Sequence, residues 1–213
     1  MNEEKEARRA QVREGINGII DLVWSGLLWI FCSLPVFTIG ASTTALYYTV
    51  VKCIRHDRGR VTPVFFGAFR ANFKTATLVW LLYLLYLAVG TADAWAWGLM
   101  GAGEGGVIYY FSRLFFLPPI LTFPWTFAYI SRFQNGVKGS LKYAAWLTLR
   151  NFGKTLLLAL ELGAAVLAVW LIPAIGLILP GAVAMLMSTH IEPVFRPLTQ
   201  DAKGHGIDDW YNE

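Results

Sequence analysis

The sequence predicts an all-α membrane bundle of about six transmembrane helices, with two amphipathic helices lying in the cytoplasmic interface. Three observations predict it. Hydrophobic residues make up 56% of the 213-residue chain and charged residues 15%, against roughly 45–50% and about 25% in soluble domains. Two runs, Leu22–Val51 and Leu162–Ile191, extend for 30 residues each without a charge. Lys and Arg concentrate in the stretches 52–74 and 132–154, whereas 92–105 has none. The mean hydropathy of +0.49 excludes a disordered chain and argues against a soluble enzyme. The net charge of +4 is explained by topology before nucleic acid, because the basic residues sit between apolar runs.

The N-terminal stretch 1–14 mixes four glutamates with Lys5, Arg8, Arg9 and Arg13. The apolar run behind it exceeds a signal h-region of about 7–15 residues and lacks an A-x-A site, so the segment is expected to be retained. A 30-residue helix would reach roughly 45 Å, too long for a core about 30 Å thick. Pro35 and Gly40 interrupt the first run, and Pro173, Gly176, Pro180 and Gly181 the second. Proline removes a helical hydrogen bond and clashes with the preceding turn, so each run reads as a hairpin of two short spans. The spans are then 17–35, 40–56, 74–98, 106–131, 154–172 and 174–191, and whether 40–56 crosses or re-enters stays open. The positive-inside rule places both basic connectors and both termini in the cytoplasm. Trp95, Trp97, Tyr109 and Tyr110 suit the outer interface.

In the first connector Thr62-Pro63 reads as a helix start. Phe65, Phe69 and Phe73 then form a stripe at i, i+4 and i+8, the pattern of an interfacial helix. In the second, Lys138 and Lys142 share one face, with Leu141, Ala145 and Thr148 on another. The connectors end alike, in Asn72-Phe73-Lys74-Thr75 and Asn151-Phe152-Gly153-Lys154-Thr155. The chain is read as one membrane domain with a candidate internal repeat, 40–98 and 106–172, and a polar tail at 200–213. A shared boundary solution explains the match equally well, with asparagine capping and lysine meeting lipid head groups.

The run Leu34-Pro35-Val36-Phe37-Thr38-Ile39-Gly40-Ala41-Ser42-Thr43-Thr44-Ala45-Leu46-Tyr47-Tyr48 resembles the signature of the YesL family of bacterial membrane proteins, a domain family of unknown function. Phe65 to Lys74 is similar to that family's second block. The resemblance implies a small multi-pass protein of the bacterial cytoplasmic membrane that assists carbohydrate uptake, with a binding-protein-dependent (ABC) sugar transporter as partner besides the lipid bilayer. It brings no catalytic residues and no cofactor. An autonomous small transporter or channel, or a membrane scaffold or regulator, are the alternatives.

The candidate functional or motif residues are Pro35, Thr38, Gly40, Ser42, Thr43, Tyr47, Asn72, Phe73, Arg113 and Glu161. Proline and glycine turn the chain. Ser42, Thr43 and Thr44 are expected to cap the returning helix, since an unsatisfied backbone group in lipid costs several kcal/mol. A polar substrate contact is the alternative. Ionisable residues within spans are functional hypotheses. Glu161 lies seven residues beyond Lys154, about 10 Å inside the membrane by helix rise. Arg113 lies at a similar depth from the other side and pairs with Glu161 or snorkels toward Asp93 or Glu104. His190 and Glu192 read as an interface pair without metal-like spacing. Cys32 and Cys53 read as small buried hydrophobes. No P-loop, H-E-x-x-H or G-x-S-x-G occurs, and no nucleophile-plus-base set stands out, so an enzyme is not expected.

Overall fold

Pro35 interrupts the first apolar run and Pro173 the second, and both become turns between helices in the computed structural model, which describes residues 2–99, 114 and 116–201. Seven α-helices and no strand occur among the described residues. They are α1 (Asn2–Ser33), α2 (Ile39–Thr49), α3 (Val61–Leu99), α4 (Leu117–Arg132), α5 (Gly136–Arg150), α6 (Phe152–Leu171) and α7 (Leu179–Asp201). Short 3-10 turns, Val36–Thr38 and Pro173–Leu177, form the two hairpin bends, and α2 ends in a wider π-helical turn, Val50–Arg55. Asp57 (φ 50°) and Gly59 (φ 88°) reverse the chain into α3 through the left-handed region, which Asp and Gly tolerate best.

Several expectations need correction. The first connector holds no separate interfacial helix. It runs straight into the following span as α3, because nothing between Pro63 and Leu99 interrupts the backbone hydrogen bonds. Its aromatic stripe turns inward: Phe65 is fully buried among Ala45 and Leu46 of α2 and Val50 of the π turn, and Phe69 and Phe73 share a cluster with Val137 and Leu141 of α5. A period-four aromatic stripe serves a helix seam as readily as a lipid surface. α5 is a separate amphipathic helix, but its buried face is Ser140, Ala144, Leu147 and Thr148, one position away from the expected one. The last helix starts at Leu179, five residues later than expected, and runs on through Pro193 and Pro197. Met187, Ile191 and Phe195, spaced by four, are buried and carry it past those prolines. The span read at 106–131 is described only from Leu117 onward, as α4.

Small residues set the helix spacing. A Cβ on Gly40 would lie 2.5 Å from the carbonyl oxygen of Ala76 and 2.6 Å from Trp80 Cβ. One on Gly181 would strike the carbonyl of Leu22. Close backbone approach of this kind is how helices associate where lipid removes the hydrophobic drive. Polar ties reinforce the seams: the Tyr83 hydroxyl bonds Thr122 Oγ1 (2.7 Å) and Thr126 Oγ1 (2.8 Å), and Trp125 Nε1 donates to Thr155 Oγ1 (2.9 Å).

Two helices, Val61–Asp93 and Phe152–Leu171, are long and apolar enough to cross a membrane, and Asn17–Ser33 is a shorter apolar helix. Their apolar faces are not core. Only 22% and 11% of the most apolar windows of the two long helices are buried. Leu78, Leu82, Leu85 and Val89 on α3, and Leu160, Val166 and Trp170 on α6, stand exposed.

Candidate functional site

A buried polar cluster lies where α2, α4 and α7 meet. Tyr47 faces inward from α2, Arg132 is the last residue of α4, and Glu192 comes from the middle of α7. The Tyr47 hydroxyl donates to Glu192 Oε1 at 2.8 Å, and Arg132 Nη2 reaches the same oxygen at 3.2 Å. Both charges are withdrawn from solvent, with side-chain exposures of 2% for Arg132 and 7% for Glu192. Desolvating such ions costs several kcal/mol each, offset only by close pairing and added hydrogen bonds. The Tyr47 hydroxyl is one such bond. A second support is the Tyr48 ring, with the Arg132 guanidinium 5.6 Å from its centroid and Lys52 Nζ 5.3 Å away; cations over a ring face are attracted by its quadrupole. Lys52 Nζ also donates to the Tyr48 hydroxyl (3.2 Å), and Arg55 Nη1 donates to Ser188 Oγ (3.1 Å), one turn before Glu192. The first residues of both basic connectors thus converge on one end of the bundle, and the π turn Val50–Arg55 is what presents Lys52 and Arg55 there.

A second polar pair joins α6 to α7. His190 Nε2 lies 2.9 Å from Glu161 Oε1, with side-chain exposures of 33% and 14%. Glu161 Oε2 is buried without a hydrogen-bond partner among the described residues. His190 and Glu192 therefore do not form a pair with each other. Two positions apart on a helix, they face different neighbours. Truncating Glu161 or His190 to alanine should each cost about 1–3 kcal/mol by stranding the other's polar group. A double-mutant cycle on thermal unfolding in detergent should show coupling between them of about 0.5 kcal/mol or more; additive losses would mean that the contact contributes nothing. These two side chains are too few to hold a metal, and no group of three His, Cys, Asp or Glu converges among the described residues.

The motif around Pro35 is internally bonded. Thr38 Oγ1 donates toward the carbonyls of Cys32 and Pro35, both at 2.6 Å, closing the bend. Thr43 Oγ1 accepts from Trp29 Nε1 at 3.1 Å, holding α1 to α2. Ser42 and Thr44 do not cap α2 as expected. The helix begins at Ile39, so they lie inside it and donate back to the carbonyls of Thr38 and Gly40, both at 3.0 Å. Pro35 is exposed at the bend, and Gly40 is the contact point of α2 with α3 and α4. Asn72 and Asn151 make the same side-chain bond to the carbonyl four residues back (3.1 and 3.2 Å). Asn72 sits within continuous α3, whereas Asn151 (φ −115°, ψ 44°) separates α5 from α6. Phe73 packs against Phe69 at 5.4 Å between ring centroids. Arg113, Glu104, Tyr109, Tyr110 and most of the polar tail lie outside the described residues. Cys53 is buried and Cys32 half-buried.

Of the candidates among the described residues, Tyr47 and Glu161 enter these two polar pairs, while Pro35, Thr38, Gly40, Ser42, Thr43, Asn72 and Phe73 lie in the first hairpin and along α3. Arg132, Glu192, Tyr48, Lys52, Arg55 and Ser188 were not among them. The signal was present: Ser188, Glu192 and Thr199 fall on the same arc of α7 as Ile191 and Phe195. A carboxylate on a buried arc requires a cation.

The family model described as "Protein of unknown function, DUF624" matches residues 22–94. That segment runs from α1 into α3 and contains both the 34–48 and the 65–74 blocks. No curated protein and no solved structure matches the chain.

Proposed function

We propose that this chain is a non-enzymatic integral protein of the bacterial cytoplasmic membrane that serves a solute-uptake system as an accessory or component. Carbohydrate is the proposed cargo and an ABC-type sugar transporter the proposed partner. The observation that carries the membrane reading is the outward aspect of the apolar helices. Leu82, Leu85, Leu160 and Trp170 are 45%, 60%, 69% and 77% exposed. Soluble monomers rarely expose contiguous apolar patches beyond a few hundred Å²; a bilayer covers them without cost. All six apolar runs then lie in or against lipid, with the basic connectors and both termini on the cytoplasmic side. The carbohydrate assignment is supported by the resemblance of residues 34–48 and 65–74.

The polar core suits an accessory role. Separating α7 from α2 and α4 would break a buried ion pair and its tyrosine bond together, so these helices move as one body. They would transmit displacement to a partner rather than absorb it. Deleting the chain should lower sugar uptake, and the tagged protein should co-purify with a transporter in mild detergent. Recovery of the protein alone, with uptake unchanged, refutes the proposal. The Glu161–His190 pair favours a second reading, an autonomous transporter or channel, because ionisable groups inside membrane segments mark ion pathways. Flux of sugars or ions into liposomes holding only this protein would support it, and flux equal to empty vesicles would reject it.

A further inference from the structure

We propose that the open groove between α1 and the start of α3 binds one phospholipid with a zwitterionic, primary-ammonium headgroup, of the phosphatidylethanolamine type. The inference rests on the membrane reading above. It comes from two opposite charges that line one groove without meeting each other.

The groove has a volume of about 810 Å³, within the range of about 300–1,000 Å³ usual for small-molecule sites. One wall is α1, with Ile20, Asp21, Trp24 and Leu27; the other is the chain entering α3, with Arg60 and Thr62. Trp24 Nε1 donates to Thr62 Oγ1 at 2.9 Å, which ties α1 to the first turn of α3. Gly59 makes its left-handed turn (φ 88°) just before Arg60. Asp21 is half-buried and Arg60 exposed. Among the described residues neither side chain is held by an ion pair or a side-chain hydrogen bond.

A ligand that satisfies both walls carries both signs. A phosphate suits Arg60, whose planar fork of donors matches phosphate oxygens. An ammonium suits Asp21, which only accepts hydrogen bonds when ionised and so needs N–H donors. A primary ammonium supplies three such donors and a quaternary one supplies none. A headgroup without an ammonium would leave Asp21 beside a second negative charge, the phosphate.

The apolar part of the ligand follows on α1. Ile20, Trp24, Leu27 and Phe31 recur at i, i+4, i+7 and i+11, one face of a helix. Ile20, Trp24 and Phe31 are 57%, 47% and 70% exposed. The stripe is about 17 Å long, close to one leaflet, half of a core about 30 Å thick. Beyond Asp21 the chain carries no charge until Lys52. The charged groove therefore stands at one end of an exposed apolar face, the arrangement that a headgroup and its acyl chain require. Trp24, at the charged end, suits the interface between them. A bound headgroup would join α1 to α3 through its two charges, beside the single Trp24–Thr62 bond.

Native mass spectrometry of the full chain, delipidated in detergent and titrated with dioleoyl phosphatidylethanolamine, phosphatidylcholine or phosphatidylglycerol, tests this. The chain should hold one phosphatidylethanolamine at least about tenfold more tightly than either other lipid, the factor that one charge-assisted hydrogen bond supplies. Asp21→Asn should abolish that preference, and Arg60→Gln should weaken binding of all three lipids. Without lipid both variants should unfold at the wild-type temperature, and the comparison of lipids on the wild-type chain holds without them. Equal affinity for the three lipids overturns the inference, as does a preference for phosphatidylglycerol or one for phosphatidylethanolamine that survives Asp21→Asn. Failure of the membrane reading has a different signature: the chain is recovered from cells in the soluble fraction without detergent, and the inference falls with it. A membrane-bound chain without the preference overturns the lipid site alone.

Discussion

Replacing Arg132 by methionine should destabilise the protein by about 3–5 kcal/mol, because it removes the guanidinium paired with the buried Glu192 carboxylate. Glu192→Leu should cost a similar amount by removing the carboxylate paired with the buried guanidinium. The double variant, Arg132→Met with Glu192→Leu, should recover much of the loss, since apolar side chains of similar volume often replace a buried pair at little cost. Arg150→Met is the control. Its guanidinium stacks on Trp146 at 4.7 Å on an exposed face of α5, and a cation–π contact there contributes only about 0.5–1 kcal/mol. Thermal unfolding in detergent, followed by size exclusion, measures all four. Single variants no worse than the control would show that Arg132 and Glu192 are not held together in the folded protein.

Gly40→Ala should cost at least about 3 kcal/mol, the upper end of the usual penalty for overpacking. The added methyl would meet a backbone carbonyl and two aromatic side chains, at 2.5 Å from Ala76 O, 2.6 Å from Trp80 Cβ and 2.8 Å from Phe127 Cε1. None of these is the loose end of a flexible chain, so α2 must move from α3 and α4 together. Gly163→Ala provides the opposite sign. Gly163 lies inside α6 with nothing within 4 Å of a Cβ, so alanine should stabilise by about 0.5–1 kcal/mol through helix propensity. Equal effects at the two positions would mean that α2 does not approach α3 as described.

The contrast between these sites shows what the sequence could carry. The bends at Pro35 and Pro173 and the helix start near Thr62 were legible, because proline acts on its own backbone wherever the chain goes. The inward turn of Phe65, Phe69 and Phe73 was not, because periodicity tells which residues share a face but not what covers it. Tyr47 was singled out within a motif, and Glu161 by its charge inside an apolar run. Arg132 and Glu192 sit at span ends, where charges ordinarily meet water and head groups, and their pairing across 60 residues is a tertiary fact.

The most direct test of the account is to ask what touches α6. A nitroxide on Leu160→Cys, in the chain lacking Cys32 and Cys53 and reconstituted in liposomes, reports whether its surroundings are oily or wet. Fast relaxation by oxygen with little by a water-soluble nickel complex is the predicted result. Strong relaxation by nickel with weak relaxation by oxygen would place that apolar face in water and contradict the account.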